Sequence, residues 1–229
     1  MPAGLDSFWE LTDRIVTALD AQKARKLLDD DWDFDRIFNQ LVKEFERPEI
    51  DRQIYNALGK KRAKTLAHHR AILALSKGAA GTTQLVTTNF DLLFERAGCK
   101  APKIVPPNLP NLELNQSIDG IVYLHGRLVN PETINPAKYV ISSADFGRAY
   151  LAEGWAACFV KELRERYTLV FLGYSADDPP MRYLLEGLND REGITYDNPI
   201  YAFADHTNDS DVEAWFDKGD TPDQYDPSN

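Results

Sequence analysis

The second half of the chain alternates short apolar runs with helical patterns, and this alternation is the feature that most constrains the fold. Apolar runs bounded by Gly, Pro or Asn have the length of buried strands and lie at residues 84–87, 121–124, 139–141, 168–172 and 200–203. Helical spacing separates several of them, at residues 92–97, 145–166 and 180–188. Strands that alternate with helices are typical of crossover units, so the sequence predicts an α/β fold with a mostly parallel sheet.

The first half of the chain carries helical signals. Ser7 and Glu10 form a capping-box pair, which predicts a helix over residues 8–19. Apolar residues recur at spacings of three and four over residues 34–45, which predicts an amphipathic helix that ends before the next proline. Residues 50–76 have a looser, more basic pattern that fits either one helix or two.

The length of the chain limits the number of domains. With 229 residues, it is long enough for one large α/β domain or two small ones, since one core stops growing near ~250–300 residues. We expect one domain over residues 1–229, with an inserted helical lobe at about residues 30–80. The net charge of -10 is concentrated in residues 205–229, where eight acidic side chains face only Lys218, so we expect an acidic C-terminal segment.

Composition argues against several classes of protein. The chain is acidic and has no basic stripe with interleaved aromatics, so direct binding to nucleic acid is not expected. No apolar run approaches the ~18 residues of a membrane span, and the N-terminus lacks a signal-peptide pattern. Cys99 and Cys158 match no metal-binding spacing and fit a reducing compartment. We therefore expect a cytoplasmic protein with no membrane partner.

Polar residues follow three of the predicted strands. Residues 88–91 read Thr-Asn-Phe-Asp, residues 125–126 read His-Gly, and residues 173–178 read Gly-Tyr-Ser-Ala-Asp-Asp. Ligands of open parallel sheets bind just beyond the carboxyl ends of the strands, so these residues are expected to meet at one crevice. Each also has a structural explanation: Asn89 as a turn residue, Asp91 as a helix cap and His125 as a satisfied strand-end histidine.

Taken together, the ordered motifs resemble those of sirtuin-like domains. The resemblance rests on Thr-Thr-Asn-Phe-Asp at residues 87–91 followed by Arg-Ala-Gly at 96–98, on Leu-His-Gly at 124–126, on Phe-Leu-Gly-Tyr-Ser at 171–175, and on Pro-Ala-Gly-Leu at 2–5 with Phe8. It is closest to the sirtuin-like NAD-hydrolase domains of bacterial antiphage defence proteins. This resemblance implies a Rossmann-like parallel sheet flanked by helices, with NAD as the substrate.

The resemblance also implies a role for each residue of the crevice. Asn89 would position the reacting ribose and water, Asp91 would hold the nicotinamide carboxamide, and His125 would be the general base. An imidazole has an ordinary pKa of about 6.5, which suits a base that works near neutrality. The residues expected to contact the dinucleotide are Ala3, Gly4, Leu5 and Phe8 at the nicotinamide end, Thr88 and Gly126 beside the catalytic residues, and Gly173 and Ser175 at the adenosine-side ribose and phosphates.

The predicted activity is hydrolysis of NAD to ADP-ribose and nicotinamide, as an NAD-depleting effector of antiphage defence. Two alternatives stay open: a non-catalytic module that senses NAD or ADP-ribose or drives oligomerisation, and an NAD-dependent protein deacylase. Protein-deacylating sirtuins carry a zinc lobe with two cysteine pairs, which this chain lacks, so no zinc is expected. The resemblance further implies a homo-oligomer and a second defence protein as partner.

The chain departs from the family pattern at its N-terminus. The family begins with a strand and a Gly-Ala-Gly turn whose backbone amides hold the pyrophosphate, and Met1 falls just after the corresponding position. The resemblance therefore predicts that the phosphate-binding loop is missing from this sequence. The remaining histidines, His68, His69 and His206, are expected to lie at the surface.

Overall fold

The computed structural model describes residues 4–59, 63–114, 116–133, 139–172 and 198–203. The chain divides into two compact units. The first unit comprises residues 1–111 and 115–153, and the second comprises residues 112–114 and 154–229. The mixed α/β class with parallel strands and flanking helices is confirmed.

Helices make up the first part of unit one: α1 (Phe8–Ala18), α2 (Gln22–Asp29), α3 (Phe34–Glu44), α4 (Arg47–Leu58) and α5 (Ala67–Leu75). The capping box is confirmed, because the Ser7 hydroxyl accepts from the Glu10 amide at 3.2 Å and the Glu10 carboxylate accepts from the Ser7 amide at 2.7 Å. Sequence patterns missed α2. They left residues 50–76 open between one helix and two, and the structure has two.

The main hydrophobic core of unit one lies between α1, α2, α3 and α4. Its fully buried members include Ile15, Ile37, Phe38 and Ile54. The same cluster extends to residues that follow the strands, namely Phe90, Leu128, Tyr139 and Ile141. The helices and the strand ends of this unit therefore share one core.

Unit one contains a three-stranded parallel sheet in the order β1, β3, β2. Its strands are β1 (Gln84–Thr87), β2 (Lys103–Ile104) and β3 (Gly120–Tyr123), and the short helix α6 (Leu93–Arg96) follows β1. Every residue of β3 is buried, as expected for the central strand of a parallel sheet. Because the strands are parallel, the residues that follow β1 and β3 leave the same edge of the sheet.

The prediction of a strand at residues 139–141 is wrong. The Val140 amide donates to the His125 carbonyl at 2.9 Å, but these residues form no strand. The helical pattern at residues 145–166 corresponds to three successive elements: α7 (Ser143–Phe146), a π-helix (Gly147–Ala152) and α8 (Trp155–Arg166). The break before α8 falls at Gly154, whose φ of 69° favours glycine.

The described part of unit two contains α8 and a two-stranded parallel sheet of β4 (Leu169–Leu172) and β5 (Ile200–Phe203). The Leu112 amide donates to the Glu162 carboxylate of α8 at 2.8 Å. The helix predicted at residues 180–188 and the acidic segment at 205–229 lie outside the described residues. None of the described helices has the length and apolar character needed to cross a membrane.

Candidate functional site

The loops after β1 and β3 lie side by side because the two strands are direct neighbours. Thr87 pairs with Tyr123 at the ends of the strands, and the Leu124 amide donates to the Thr87 carbonyl at 2.8 Å. Beyond the strands, the Leu128 amide donates to the Phe90 carbonyl at 2.8 Å. The structure thus brings together the two polar motifs at residues 88–91 and 125–126.

Local hydrogen bonds shape the loop after β1. The Asn89 backbone amide donates to the Thr87 hydroxyl at 3.2 Å, and Asn89 is exposed. The Asp91 carboxylate accepts from the Leu93 amide at 2.8 Å at the start of α6. Burial raises the pKa of Asp91, and the Leu93 amide and His69 counteract that rise only in part. Asp91 is therefore a half-buried acid with a structural contact to the start of α6, and its role toward a ligand stays a prediction.

The segment at the start of the chain packs beside this loop. The Phe8 ring, 37% exposed, lies 6.5 Å from the Phe90 ring between centroids. Leu5 is buried against Leu93, two residues beyond Asp91. Gly4 has a φ of 74°, and Thr88 is half-buried. Gly4, Leu5, Phe8 and Thr88 remain predicted contacts, and Ala3 lies outside the described residues.

His125 lies at the buried end of the site and is 3% exposed. Its Nε2 atom is 2.7 Å from the Tyr150 hydroxyl, and its ring stands edge-on to Phe146 at 5.2 Å between centroids. Burial lowers the pKa of His125 to about 3, in contrast to the near-neutral value expected from the sequence. The imidazole is therefore neutral at physiological pH, so it can accept a proton but holds it weakly.

Gly126 supplies the turn that follows His125. Its φ of 96° lies in the left-handed region, and its amide donates to the Tyr123 carbonyl at 3.0 Å. The left-handed turn alone explains why a glycine occupies this position. A contact between Gly126 and the dinucleotide therefore remains a prediction.

A second contact joins the two loops and was not predicted from the sequence. Arg127 binds Glu95 of α6 through both carboxylate oxygens, at 2.6 Å each, and the Tyr123 hydroxyl donates to the same carboxylate at 3.1 Å. Burial opposes ionisation of Glu95, but the contacts with Arg127 outweigh it and lower the pKa of Glu95. The sequence feature that could have indicated this contact is the position of Arg127 directly after the His-Gly motif.

The helices after β3 are anchored by a network around Arg47, which the sequence also did not indicate. The Arg47 guanidinium binds Asp51 at 2.9 Å, Asp145 at 3.0 Å and the Tyr139 carbonyl at 2.8 Å. Asp145 also accepts from the Ser142 hydroxyl at 2.8 Å. Burial opposes ionisation of Asp145, but Arg47 and Ser142 outweigh it and lower the pKa of that carboxyl. This network fixes the start of the segment that carries Phe146 and Tyr150.

The third predicted part of the crevice is not described. Gly173 and Ser175 follow β4 in unit two and lie outside the described residues. Their contacts, and the meeting of three strand ends, therefore stay predictions. Across the described residues, no three His, Cys, Asp or Glu side chains gather as metal ligands.

Two further features lie near the sheet of unit one. His68 is exposed as expected, whereas His69 is half-buried and packs edge-on against Phe94 at 5.1 Å between centroids. An open cleft of about 430 Å³ lies at the opposite, amino-terminal end of the strands, where Thr83, Pro102 and Asp119 precede β1, β2 and β3. This cleft is separate from the predicted site, which lies at the carboxyl ends.

Neighbouring parallel strands with polar residues at their carboxyl ends define an α/β protein of the kind that binds a ligand at that edge. A family model described as a SIR2-like domain matches residues 83–220, which are 138 of the 229 residues. The chain therefore belongs to the SIR2-like domain family. Membership points to an NAD-related function.

A curated relative is similar to part of the chain. The protein named "Uncharacterized protein y4cA" from Sinorhizobium fredii (strain NBRC 101917 / NGR234) is 38% identical over 157 residues. The matched region covers 65% of this chain but only 13% of that relative.

Proposed function

We propose that this protein hydrolyses NAD to ADP-ribose and nicotinamide at the carboxyl ends of β1 and β3. The observation that carries the proposal is the joining of the two polar loops, by the Leu128 amide on the Phe90 carbonyl and by Arg127 on Glu95. This arrangement sets an exposed amide and a half-buried carboxyl next to the turn that carries a neutral imidazole. These are the groups that cleavage of a nicotinamide–ribose bond uses.

Each group has a task in this proposal. The exposed Asn89 side chain is available to bind a ribose hydroxyl and the attacking water. Asp91 is available to bind the carboxamide of nicotinamide, and the packing of Phe8 and Leu5 beside its loop provides an apolar wall for that ring. His125 is neutral and therefore has a lone pair for a proton from water, and its lowered pKa makes it a weak base. Nicotinamide leaves as a neutral molecule, so no strong acid is needed at the leaving group.

The test is nicotinamide release from NAD by the intact protein, followed by chromatography. We expect Asn89→Ala and His125→Ala each to lower kcat by roughly 100-fold or more, as loss of a positioned acid–base or polar group does. Asn56→Ala and His68→Ala are matched controls on exposed positions of α4 and α5, and we expect their kcat to stay within about twofold of wild type. Undiminished turnover in both site variants would overturn the proposal.

A second candidate function is favoured by the burial of His125. A protein whose imidazole is 3% exposed and bound to Tyr150 could bind NAD or ADP-ribose without cleaving it. In that case either ligand would raise the melting temperature by mass action while no nicotinamide appeared. Melting curves and nicotinamide assays on the same samples therefore distinguish a sensor from a hydrolase.

The biological setting is also part of this proposal. We place the activity in the cytoplasm, because neither Cys99 nor Cys158 forms a disulfide. We further propose an NAD-depleting role in antiphage defence, carried out by a homo-oligomer together with a second defence protein. Phage challenge of bacteria that express wild type or His125→Ala tests the role through cellular NAD. Light scattering of the purified protein, with and without the product of a neighbouring gene, tests the assembly.

A further inference from the structure

The Tyr150 side chain is in hydrogen-bond contact with the His125 imidazole. The Tyr150 hydroxyl lies 2.7 Å from Nε2 of His125, and both residues are buried, with 7% and 3% of their surface exposed. Phe146 stacks on Tyr150 at 6.1 Å with an interplanar angle of 26°, and both rings meet the imidazole edge. Nε2 is therefore enclosed by two aromatic side chains and already has a hydrogen-bond partner.

The backbone that carries Tyr150 is unusual and firmly anchored. Tyr150 belongs to the π-helix Gly147–Ala152, a rare conformation that occurs often at functional sites. The preceding helix α7 begins with a capping box between Ser142 and Asp145, and Arg47 holds that aspartate. These contacts place the Tyr150 hydroxyl at one fixed position relative to the imidazole.

The enclosure of Nε2 determines which ring nitrogen can act on a substrate. A base must offer a free lone pair to the proton it accepts, and Nε2 is covered. The acting atom is then Nδ1, which must carry no hydrogen in the neutral ring. With Nδ1 as the base, the one N–H of a neutral imidazole would belong to Nε2, and the Tyr150 oxygen would accept it.

We propose that Tyr150 is a positioning residue for His125: its oxygen accepts from Nε2–H and so presents Nδ1 as the base that deprotonates the attacking water. The inference rests on the proposed function. In the reaction, an O–H bond of water breaks as the Nδ1–H bond forms, and the water oxygen bonds to the ribose carbon. The C–N bond to nicotinamide breaks and its electron pair stays on the leaving ring nitrogen. The imidazolium then gives its proton to solvent.

The kinetic test is a double-mutant cycle on the intact protein. We expect Tyr150→Phe to lower kcat for nicotinamide release by roughly tenfold or more, with KM for NAD within about twofold, because the group acts through the base. In a His125→Ala background the same change should have no further effect. Tyr55→Phe on α4 is the matched control and should leave kcat unchanged. A kcat for Tyr150→Phe within twofold of wild type would overturn the inference.

A spectroscopic test separates this inference from the proposed function. Nitrogen-15 NMR of the imidazole assigns the tautomer without any substrate. We expect His125 to carry its hydrogen on Nε2, with a resonance that shifts in Tyr150→Phe and not in Tyr55→Phe. A hydrogen on Nδ1, or an unchanged resonance in Tyr150→Phe, would overturn the positioning role even in an active hydrolase. Absence of nicotinamide release by wild type, with the expected tautomer present, would instead overturn the proposed function, and with it the proton transfer assigned to Nδ1.

Discussion

The two ends of the candidate site are held in different ways. The loop after β1 is shaped by contacts between residues two apart, such as the Asp91 carboxylate on the Leu93 amide, and its Asn89 side chain is exposed. His125, after β3, is buried, and its ring contacts come from Tyr150 and Phe146, more than 20 residues further along the chain. One end thus has local side-chain contacts and an exposed side chain at Asn89, whereas the ring of His125 at the other end depends on tertiary packing.

Charged contacts stabilise the segment that covers the buried end of the site. Arg47 holds Asp145 and the Tyr139 carbonyl, so α4 is fastened to the segment that covers His125. The open end has comparable long-range contacts from Arg127 to Glu95 and from Arg96 to the Gly59 carbonyl. This difference predicts that distant substitutions disturb the His125 end more than the Asn89 end.

The largest effect is expected for Arg47→Ala. Its partners Asp51 and Asp145 have side chains only 1% and 7% exposed, so the change removes a cation from two buried carboxylates, of which Asp145 keeps its ion pair with Arg148. We expect the free energy of unfolding to fall by about 3 kcal/mol, near the lower end for a broken buried pair because Arg47 is itself partly exposed. Urea unfolding measures the loss.

The control for this change is Arg52→Ala, an exposed arginine on the same helix, which should cost less than about 0.5 kcal/mol. Equal losses for the two variants would show that the network around Arg47 does not stabilise the buried end. The contrast drawn between the two ends would then fail.

A smaller effect is expected from pH, and it reports on His125. Burial lowers the pKa of His125 to about 3, so between that value and the ordinary value of about 6.5 the unfolded chain binds more protons than the folded one. The stability from the neutral, buried ring is complete above pH 6.5 and is lost as the pH falls. We expect this residue to contribute a loss of about 1.4 kcal/mol between pH 7.5 and 5.5.

His125→Gln isolates that contribution, because the other titrating groups, including the half-buried His69, are common to both proteins. The difference in unfolding free energy between wild type and variant should shrink as the pH falls from 7.5 to 5.5. A difference that stays constant with pH would mean that the imidazole titrates normally and is open to water.

The sequence predicted the elements whose signals are local. The Ser7 capping box, the helix from Phe34 and the strands β1 and β5 lie where the patterns placed them, because caps, periodicity and short apolar runs act over a few residues. Helix α2 was missed because its eight residues follow directly on α1 and carry only a short apolar pattern. Secondary structure is therefore predicted best from the sequence where the residues of a segment themselves determine its conformation.

The errors fall where long-range contacts decide the outcome. Residues 139–141 are apolar because they join the helical core, not because they belong to a sheet. The helical pattern over residues 145–166 is interrupted, and Phe146 at the end of α7 and Tyr150 in the π-helix both pack against His125. The motifs after β1 and β3 were found from sequence, whereas the lowered pKa of His125 and its partner Tyr150 were not. The burial of His125 and its contact with Tyr150, 25 residues further along the chain, produce no periodic pattern in the sequence.

The smallest effect is expected at Asp91, where the structural and ligand-binding explanations can be separated. Its carboxylate accepts from the Leu93 amide, a contact that an asparagine side chain can also make. We expect Asp91→Ala to lower the unfolding free energy by about 1 kcal/mol, as loss of a capping contact does, and Asp91→Asn to lower it by less. Urea unfolding at pH 7.5 measures both.

Nicotinamide release by the same two variants decides what else Asp91 does. If the carboxylate holds the carboxamide of the substrate, Asp91→Asn should raise KM for NAD about tenfold or more despite its retained cap, because an amide replaces the charged acceptor. If Asp91→Asn instead keeps both the stability and the KM of wild type, the residue only caps α6. Asn89 would then be the one candidate ligand contact left among residues 89–91. The difference between the two ends of the site would be that between the exposed Asn89 side chain and the buried His125.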